Sequence, residues 1–178
     1  MGNIFLMSDT HFGHDKDFIY KPRGFQSVQE MNETILSNCI KTVKADDDFY
    51  LLGDLMLGDF AESSKLVAQL PGKLHIVLGN HDTANRIKFY KELPQVVSVG
   101  YGDLLKVGKT SFFLSHYVTE TGNFDSQHVP YNICGHVHTD NKFLDMDRRG
   151  YHVEPEAHNN TPVSIEQIIL DIKSYKIK

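Results

Sequence analysis

An aspartate and a histidine one residue apart, Asp9-Thr10-His11, follow the apolar run Ile4 to Met7. Four further places repeat that arrangement, with groups able to bind a cation just past a run that reads as a strand. Gly53-Asp54 follows Phe49 to Leu52, and Gly79-Asn80-His81-Asp82 follows Leu74 to Leu78. His116 follows Ser111 to Leu114, and Gly135-His136-Val137-His138 follows Tyr131 to Cys134. Carboxylate, imidazole and amide oxygen together suit divalent ions of intermediate softness: Mn²⁺, Fe²⁺, Zn²⁺, Co²⁺ or Ni²⁺. No cysteine stands in the series, which argues against a structural zinc site. One Asp-x-His or His-x-His pair arises often by chance; an ordered series of this kind does not. Two ions about 3.5–4 Å apart would clamp an in-line displacement at phosphorus, lowering the water pKa and stabilising the attacking and leaving oxygens. Asp54, the lone carboxylate after its strand, is the natural group to be shared between them. The glycines at 53, 79 and 135 are expected to let the backbone turn sharply toward the ions.

The elements that must position these groups are legible around them. Besides the five runs above, Val96 to Val99 reads as a strand. The spacing of Val28, Met31, Ile35, Leu36, Cys39, Ile40 and Val43 predicts a helix from Val28 to about Lys44, opened by Ser27 and Glu30 as a capping box. Asn32 and Glu33 point away from that apolar stripe and should be solvated. A second helix fits Phe60 to Leu70, capped by Asp59 and stopped by Pro71-Gly72; a third fits Asn85 to Glu92. Ser164 and Gln167 would open a last helix through Ile165, Ile168 and Ile169. Strand–helix alternation implies an α/β sheet, and such sheets bind ligands beyond the carboxyl ends of their strands. The candidate ligands stand at those ends.

The 178 residues, 40% apolar and 23% charged, fit one ordinary domain, and no repeat or linker divides them. No run of about 18 apolar residues suggests a membrane span, and the start has neither the basic flank nor the cleavage site of a secretory signal. Cys39 and Cys134 are expected as buried free thiols of a cytoplasmic protein. A net charge of −5 gives no nucleic-acid signal. No residue pattern specifies an oligomeric state.

The series Asp9-x-His11, Gly53-Asp54, Gly79-Asn80-His81-Asp82, His116 and Gly135-His136-x-His138 resembles the calcineurin-like metallophosphoesterase superfamily. Ser8-Asp9-Thr10-His11-Phe12-Gly13-His14, Phe113-Leu114-Ser115-His116-Tyr117 and Pro162-Val163-Ser164-Ile165-Glu166 are similar to its small bacterial and phage members. The resemblance implies an α/β fold: a two-sheet β-sandwich flanked by helices, with a dimetal centre at one edge. It implies one ion held by Asp9, His11, Asp54 and His138, and another by Asp54, Asn80, His116 and His136. His81 would stand beside the ions, protonating the leaving oxygen or stabilising the transition state. Asp82 is expected to orient His81, as carboxylates do for working imidazoles. Mn²⁺ is the first expectation for the metal. Interaction scaffolds of the same superfold typically lack the catalytic histidine or a ligand, whereas His81 and the ligand set stand here intact. Repair nucleases of the superfamily carry extra segments and a basic surface that this acidic chain lacks.

A small phosphate ester or nucleotide is thus the expected substrate, with no membrane partner. Candidate substrate contacts are His14, placed three residues after His11 and included in the small-member pattern, Arg23, and Asn80. A planar guanidinium can bind two phosphate oxygens at once; Arg23-Gly24-Phe25 replaces the Arg-Pro-Phe usual among relatives, so a looser loop is expected. A monoester dianion calls for several cationic neighbours, and only Arg23 and His14 are offered, with Arg86 placed on a helix beyond Asp82. Phosphodiesters are therefore expected ahead of phosphomonoesters. His75, His128, His152 and His158 are expected as structural or exposed, and Asp46-Asp47-Asp48 as a polar turn. Substrate choice is expected in the loops, and the stretch from Thr119 to Val129, the longest near the site, carries no readable motif.

Overall fold

The computed structural model describes residues 2–121, 129–144 and 149–175. Two sheets face each other. The first is built from β1 (Ile4–Met7), β2 (Asp48–Leu52), β3 (Lys73–Val77), β4 (Val96–Gly100) and β9 (Val163–Ser164), in the order β4-β3-β2-β1-β9. Its first four strands are parallel, and β9 closes the edge antiparallel to β1. The second sheet has β5 (Asp103–Val107), β6 (Thr110–Leu114), β7 (Tyr131–Cys134) and β8 (Gly150–His152) in sequential order. β5 and β6 form a hairpin across Gly108-Lys109; β7 and β8 continue parallel to β6.

Period-two alternation divides the first sheet between two cores. Met7, Phe49, Leu51, Leu74 and Ile76 join the core under the helices, with Met31, Ile35, Leu36 and Cys39 of α2 (Val28–Thr42), Val67 of α3 (Phe60–Val67) and Tyr90 of α4 (Ala84–Glu92). Leu6, Leu52 and Val77 point the other way, against Phe112, Leu114, Ile133 and Tyr151 of the second sheet. Ile165, Ile168 and Ile172 of α5 (Ile165–Tyr175) complete that inter-sheet core. The sandwich with flanking helices expected from the sequence is the fold observed.

The departures are local. Ile40 is 49% exposed rather than part of the α2 stripe, and α2 ends at Thr42 because Val43 is extended. At the α2 start, Ser27 Oγ accepts from Glu30 N at 3.2 Å, but Glu30 reaches back to Gln26 N rather than to the cap residue itself. At α5, Gln167 N donates to Ser164 Oγ, while the Gln167 side chain turns forward to Asp171. α3 stops at Val67, the next residues closing in tighter turns from Gln69 N to Leu66 O and Leu70 N to Val67 O. Asn32 is not idle: its Oδ1 accepts the Gly13 amide at 3.1 Å. Asp46 and Asp47 lie in the expected turn, Asp47 accepting from Asn3 N and Lys44 N, while Asp48 already opens β2. Both cysteines are free and buried, and burial pushes the Cys39 thiol up to about 12. Among the described residues no helix is long and apolar enough to cross a membrane.

Candidate metal centre

Beyond the carboxyl ends of β1 and β2 the two loops stay zipped by main-chain bonds. Asp9 N donates to Gly53 O at 3.0 Å, His11 N to Asp54 O at 3.1 Å and Phe12 N to Leu55 O at 3.0 Å. That pairing brings the first two motifs face to face. Asp9, His11, Asp54, His136 and His138 all adopt positive φ, between 49° and 78°. Left-handed backbone is unfavourable for side-chain-bearing residues, although Asn, Asp and His tolerate it best. Such strain concentrates at functional loops, and here it bends five ligand candidates inward.

The motif glycines act differently from one another. Gly53 has φ +88° and makes the expected turn. At Gly79 and Gly135 close approach decides: an added Cβ would stand 2.2 Å from Asp54 Oδ1 and 2.2 Å from Asp9 Oδ2, respectively. Each leaves room for a carboxylate delivered by another strand.

All the candidate ligands converge. Asp9, His11 and His138 form one group able to hold an ion; Asp9, Asp54 and His116 form an adjoining one. Asp9 Oδ1 lies 3.5 Å from His11 Nε2 and 3.8 Å from His138 Nε2. Asp54 Oδ2 lies 3.9 Å from His11 Nε2 and 3.5 Å from His116 Nε2, between an imidazole of each set. Asn80 Oδ1 and His136 Nδ1 stand 3.0 and 3.2 Å from His116 Nε2. Two atoms bound to one cation at about 2.1 Å stand about 3 Å apart, so this spacing fits a shared ion.

The imidazoles are also oriented for it. His116 Nδ1 donates to Leu52 O at 2.9 Å, and His138 Nδ1 to Glu156 Oε1 at 3.0 Å. His11 Nδ1 meets His14 Nδ1 at 2.9 Å, a neutral pair in which one nitrogen donates. In His116 and His138 the outer partner can only accept, which places the proton on Nδ1 and turns Nε2 inward as a lone pair. Asp9 Oδ1 and His11 Nε2 are buried with no hydrogen-bond partner. Orphaned buried acceptors carry a desolvation penalty that a cation would remove, so the residues present fit a metal.

The electrostatics agree. Burial alone would raise the Asp9 carboxyl, but His11, His116 and His138 hold it well below the usual carboxylate range. Burial lowers His11 and His136, keeping both neutral and able to bind metal. Burial also lowers His138, yet Glu156 and Asp9 outweigh it and leave it raised. His14 is pushed down to about 4 by burial and by its histidine neighbours.

Three expected roles are revised. Arg23 cannot meet a phosphate: its side chain is wholly buried, with Nε on Glu156 Oε1 at 2.9 Å and its terminal nitrogens on Asp9 O and Thr10 O. It props the Asp9 loop from behind. The Arg23-Gly24-Phe25 loop is tied rather than loose, since Gly24 N, Phe25 N and Arg23 O are all bonded and Phe25 is buried. Gly24 has φ +90°, which proline cannot adopt, so this loop takes a path of its own. Asp82 does not touch the His81 ring. It accepts from Gly79 N at 2.8 Å, Asp54 N at 3.1 Å and Tyr90 OH at 2.8 Å, and burial raises its carboxyl. It fastens two motifs together. His14 does reach the site, ring-stacked on His11 at 5.1 Å.

His81 belongs to neither ion-holding group. Its side chain is 43% exposed, with Nε2 3.9 Å from Asp54 Oδ2. Its main-chain amide donates to Asp54 Oδ1 at 2.8 Å, and Arg86 holds its carbonyl. Residues that sequence reasoning missed stand behind the ligands: Glu156, and Asn132, which binds Ser115 Oγ, Phe113 O and Thr119 N. Neither lies in a motif; Pro155 signals only the turn that carries Glu156. His75 is bonded to Asp48 and Ser98, His152 to Glu154 and His158 to His152 O, all structural as expected. Of the Thr119–Val129 loop, residues 122–128, His128 included, lie outside the described residues.

An uncharacterised protein of Methanocaldococcus jannaschii is 32% identical over 183 residues, covering 99% of this chain and 95% of that protein. The crystal structure of a protein of unknown function from Aquifex aeolicus superposes with a TM-score of 0.72 at 23% identity, covering 95% of this chain and 98% of that one, and so shares the fold. The structure of a novel archaeal phosphodiesterase aligns at a TM-score of 0.47 and 16% identity, covering 86% of this chain and 82% of its own. The model of the calcineurin-like phosphoesterase superfamily domain matches residues 3–155, and the chain belongs to that superfamily.

Proposed function

We propose that this phosphoesterase is a dinuclear metal enzyme that hydrolyses phosphodiesters, with His81 as the proton donor. The observation that carries the reading is the pair of orphaned acceptors, Asp9 Oδ1 and His11 Nε2, buried in a cluster whose lip is formed by the exposed imidazole of His81. Asp9, His11, Asp54 and His138 would hold one ion; Asp54, Asn80, His116 and His136 would hold the other, Mn²⁺ in both as the first choice. Bound there, two divalent ions would supply Lewis acidity at a phosphoryl oxygen and a water of lowered pKa.

The chain's own groups account for the rest. Asp54 is the shared carboxylate, since its Oδ2 lies between His11 and His116. The His81 main-chain amide donates to Asp54 Oδ1, which ties this residue to the carboxylate that would be shared, and its imidazole stands 3.9 Å from Asp54 Oδ2. From there its ring can pass a proton to a departing alkoxide, the step a diester with a poor leaving group needs. His14 and Asn80 remain the candidate phosphate contacts. Arg23, being buried, adds no charge for a second phosphate anion, which favours the singly charged diester. The substrate would be a small phosphate ester or nucleotide, and the free buried thiols suit the cytoplasm.

Hydrolysis of bis-nitrophenyl phosphate and of nitrophenyl phosphate by the Mn²⁺-loaded protein tests the reading. Chelation should abolish both activities, and the diester should have the higher kcat/KM. A preference of about tenfold for the monoester, roughly 1.4 kcal/mol in the transition state, would remove the diester assignment.

A further inference from the structure

Among the described residues ten large apolar side chains stand exposed, and four of them, Phe18, Tyr117, Val118 and Val137, flank the metal motifs. Two are aromatic and each touches a histidine of the centre. Phe18, 70% exposed, meets the His14 ring edge-on at 5.8 Å, and His14 stacks on His11. Tyr117, 49% exposed, lies 4.8 Å from the His136 ring and 5.0 Å from the His116 ring. Phe18 thus reaches the first ligand set through His14, and Tyr117 borders two ligands of the second.

Neither is exposed through looseness. Phe18 rides on the short α1 (Asp17–Tyr20), whose Ile19 and Tyr20 are sunk in the helix-side core. The Tyr117 carbonyl is gripped by Ser115 Oγ at 2.7 Å and Thr119 Oγ1 at 3.0 Å, and Asn132 holds both of those residues. Rigid aromatic faces beside an anion-binding centre are what stacking of a base requires, because every base has a π-face. A phosphodiester carries one substituent on either side of phosphorus, matching one platform per ligand set.

We infer that Phe18 and Tyr117 are base-stacking platforms, and that the substrate is a phosphodiester bearing nucleobases. The inference rests on the phosphodiesterase reading above. Its test compares kcat/KM for adenylyl-adenosine and for glycerophosphoglycerol, two singly charged diesters, in the Mn²⁺-loaded protein. The dinucleotide should be preferred by about tenfold or more. Phe18→Leu and Tyr117→Leu should each lower that ratio about tenfold with metal content retained, whereas Phe18→Tyr and Tyr117→Phe should preserve it. Leu104→Ala, an exposed apolar change on β5, should leave it unaltered. A ratio near one, or a ratio that neither leucine variant moves, overturns the inference. Should only nitrophenyl phosphate be hydrolysed, the diester half of the inference falls with that reading, and calorimetry decides the platforms. Adenosine monophosphate should then bind about tenfold more tightly than glycerol phosphate, and both leucine variants should reduce the difference. Equal affinities would overturn the platforms.

Discussion

Glu156 Oε1 accepts a hydrogen bond from His138 Nδ1 at 3.0 Å while the same oxygen accepts from Arg23 Nε at 2.9 Å. One buried carboxylate therefore sets the tautomer of a ligand and neutralises the guanidinium that props the Asp9 loop. Loss of an outer partner of this kind lowers metal affinity about 10- to 100-fold. Glu156→Gln should show that loss in a Mn²⁺ titration while remaining folded. Unaltered affinity would mean that His138 needs no such partner.

Asp54→Asn should be the most damaging single ligand change. Its Oδ2 faces imidazoles of both sets, so the substitution weakens both ions at once. Metal analysis of the purified variant should find fewer than two ions per chain. Two retained ions with near-normal turnover would refute its bridging role.

His81→Ala should lower kcat by roughly 10²–10⁴-fold with the metal content intact. The deficit should shrink on nitrophenyl esters, whose leaving group departs without a proton. Asp82→Asn should behave differently, because Asp82 ties Gly79 N, Asp54 N and Tyr90 OH together. Its principal effect should be a lower melting temperature. Metal loss from His81→Ala would instead make His81 a ligand.

Gly135→Ala should disable the first ion group without replacing a ligand. The new methyl would lie 2.2 Å from Asp9 Oδ2 and 2.4 Å from Ser8 Oγ, so the aspartate must shift. Overpacking of this sort costs about 1–3 kcal/mol. A denaturant titration and a metal count on the same sample would reveal both losses.

Asp171 gives a pH dependence away from the centre. Burial pushes its carboxyl up, but donors from Tyr151, Lys142 and Gln167 outweigh that and leave it below the ordinary 3.8. The unfolded chain therefore takes up this proton first as the pH falls. Its stabilisation is complete above the ordinary value and is lost as the pH drops through the lower folded one. Asp171→Asn should be less stable at neutral pH by about 1 kcal/mol, allowing for partial exposure. The gap should close in strong acid; a gap that is constant with pH would rule the ion out as its source.

Legibility in the sequence followed the length of the pattern. α2 and β1 to β4 carry enough apolar periodicity to be read within two residues, and every candidate ligand was found because each follows such a run. β8 and β9 span three and two residues and are held by register with β7 and β1 rather than by propensity. β5 alternates Leu105 inward with Leu104 outward between Asp103 and Lys106, too polar a string to stand out. Roles were harder to read than positions. Asp82 adjoins His81 in sequence, yet its side chain turns to backbone amides of another loop. Arg23 has the chemistry of a phosphate binder, and only the fold reveals that it is enclosed. Glu156 lies 18 residues from His138 with nothing local to link them.

The five inward-bent ligands of positive φ also bear on any attempt to transplant this centre. At roughly 1–2 kcal/mol per left-handed residue, the loops hold a posture that an isolated peptide of the same sequence would relax out of. A designer who copied only the side chains onto another sandwich would place the atoms and lose the aim. The transferable unit is the laced pair of loops after β1 and β2 with the loop after β7, together with the glycines that make space for the carboxylates.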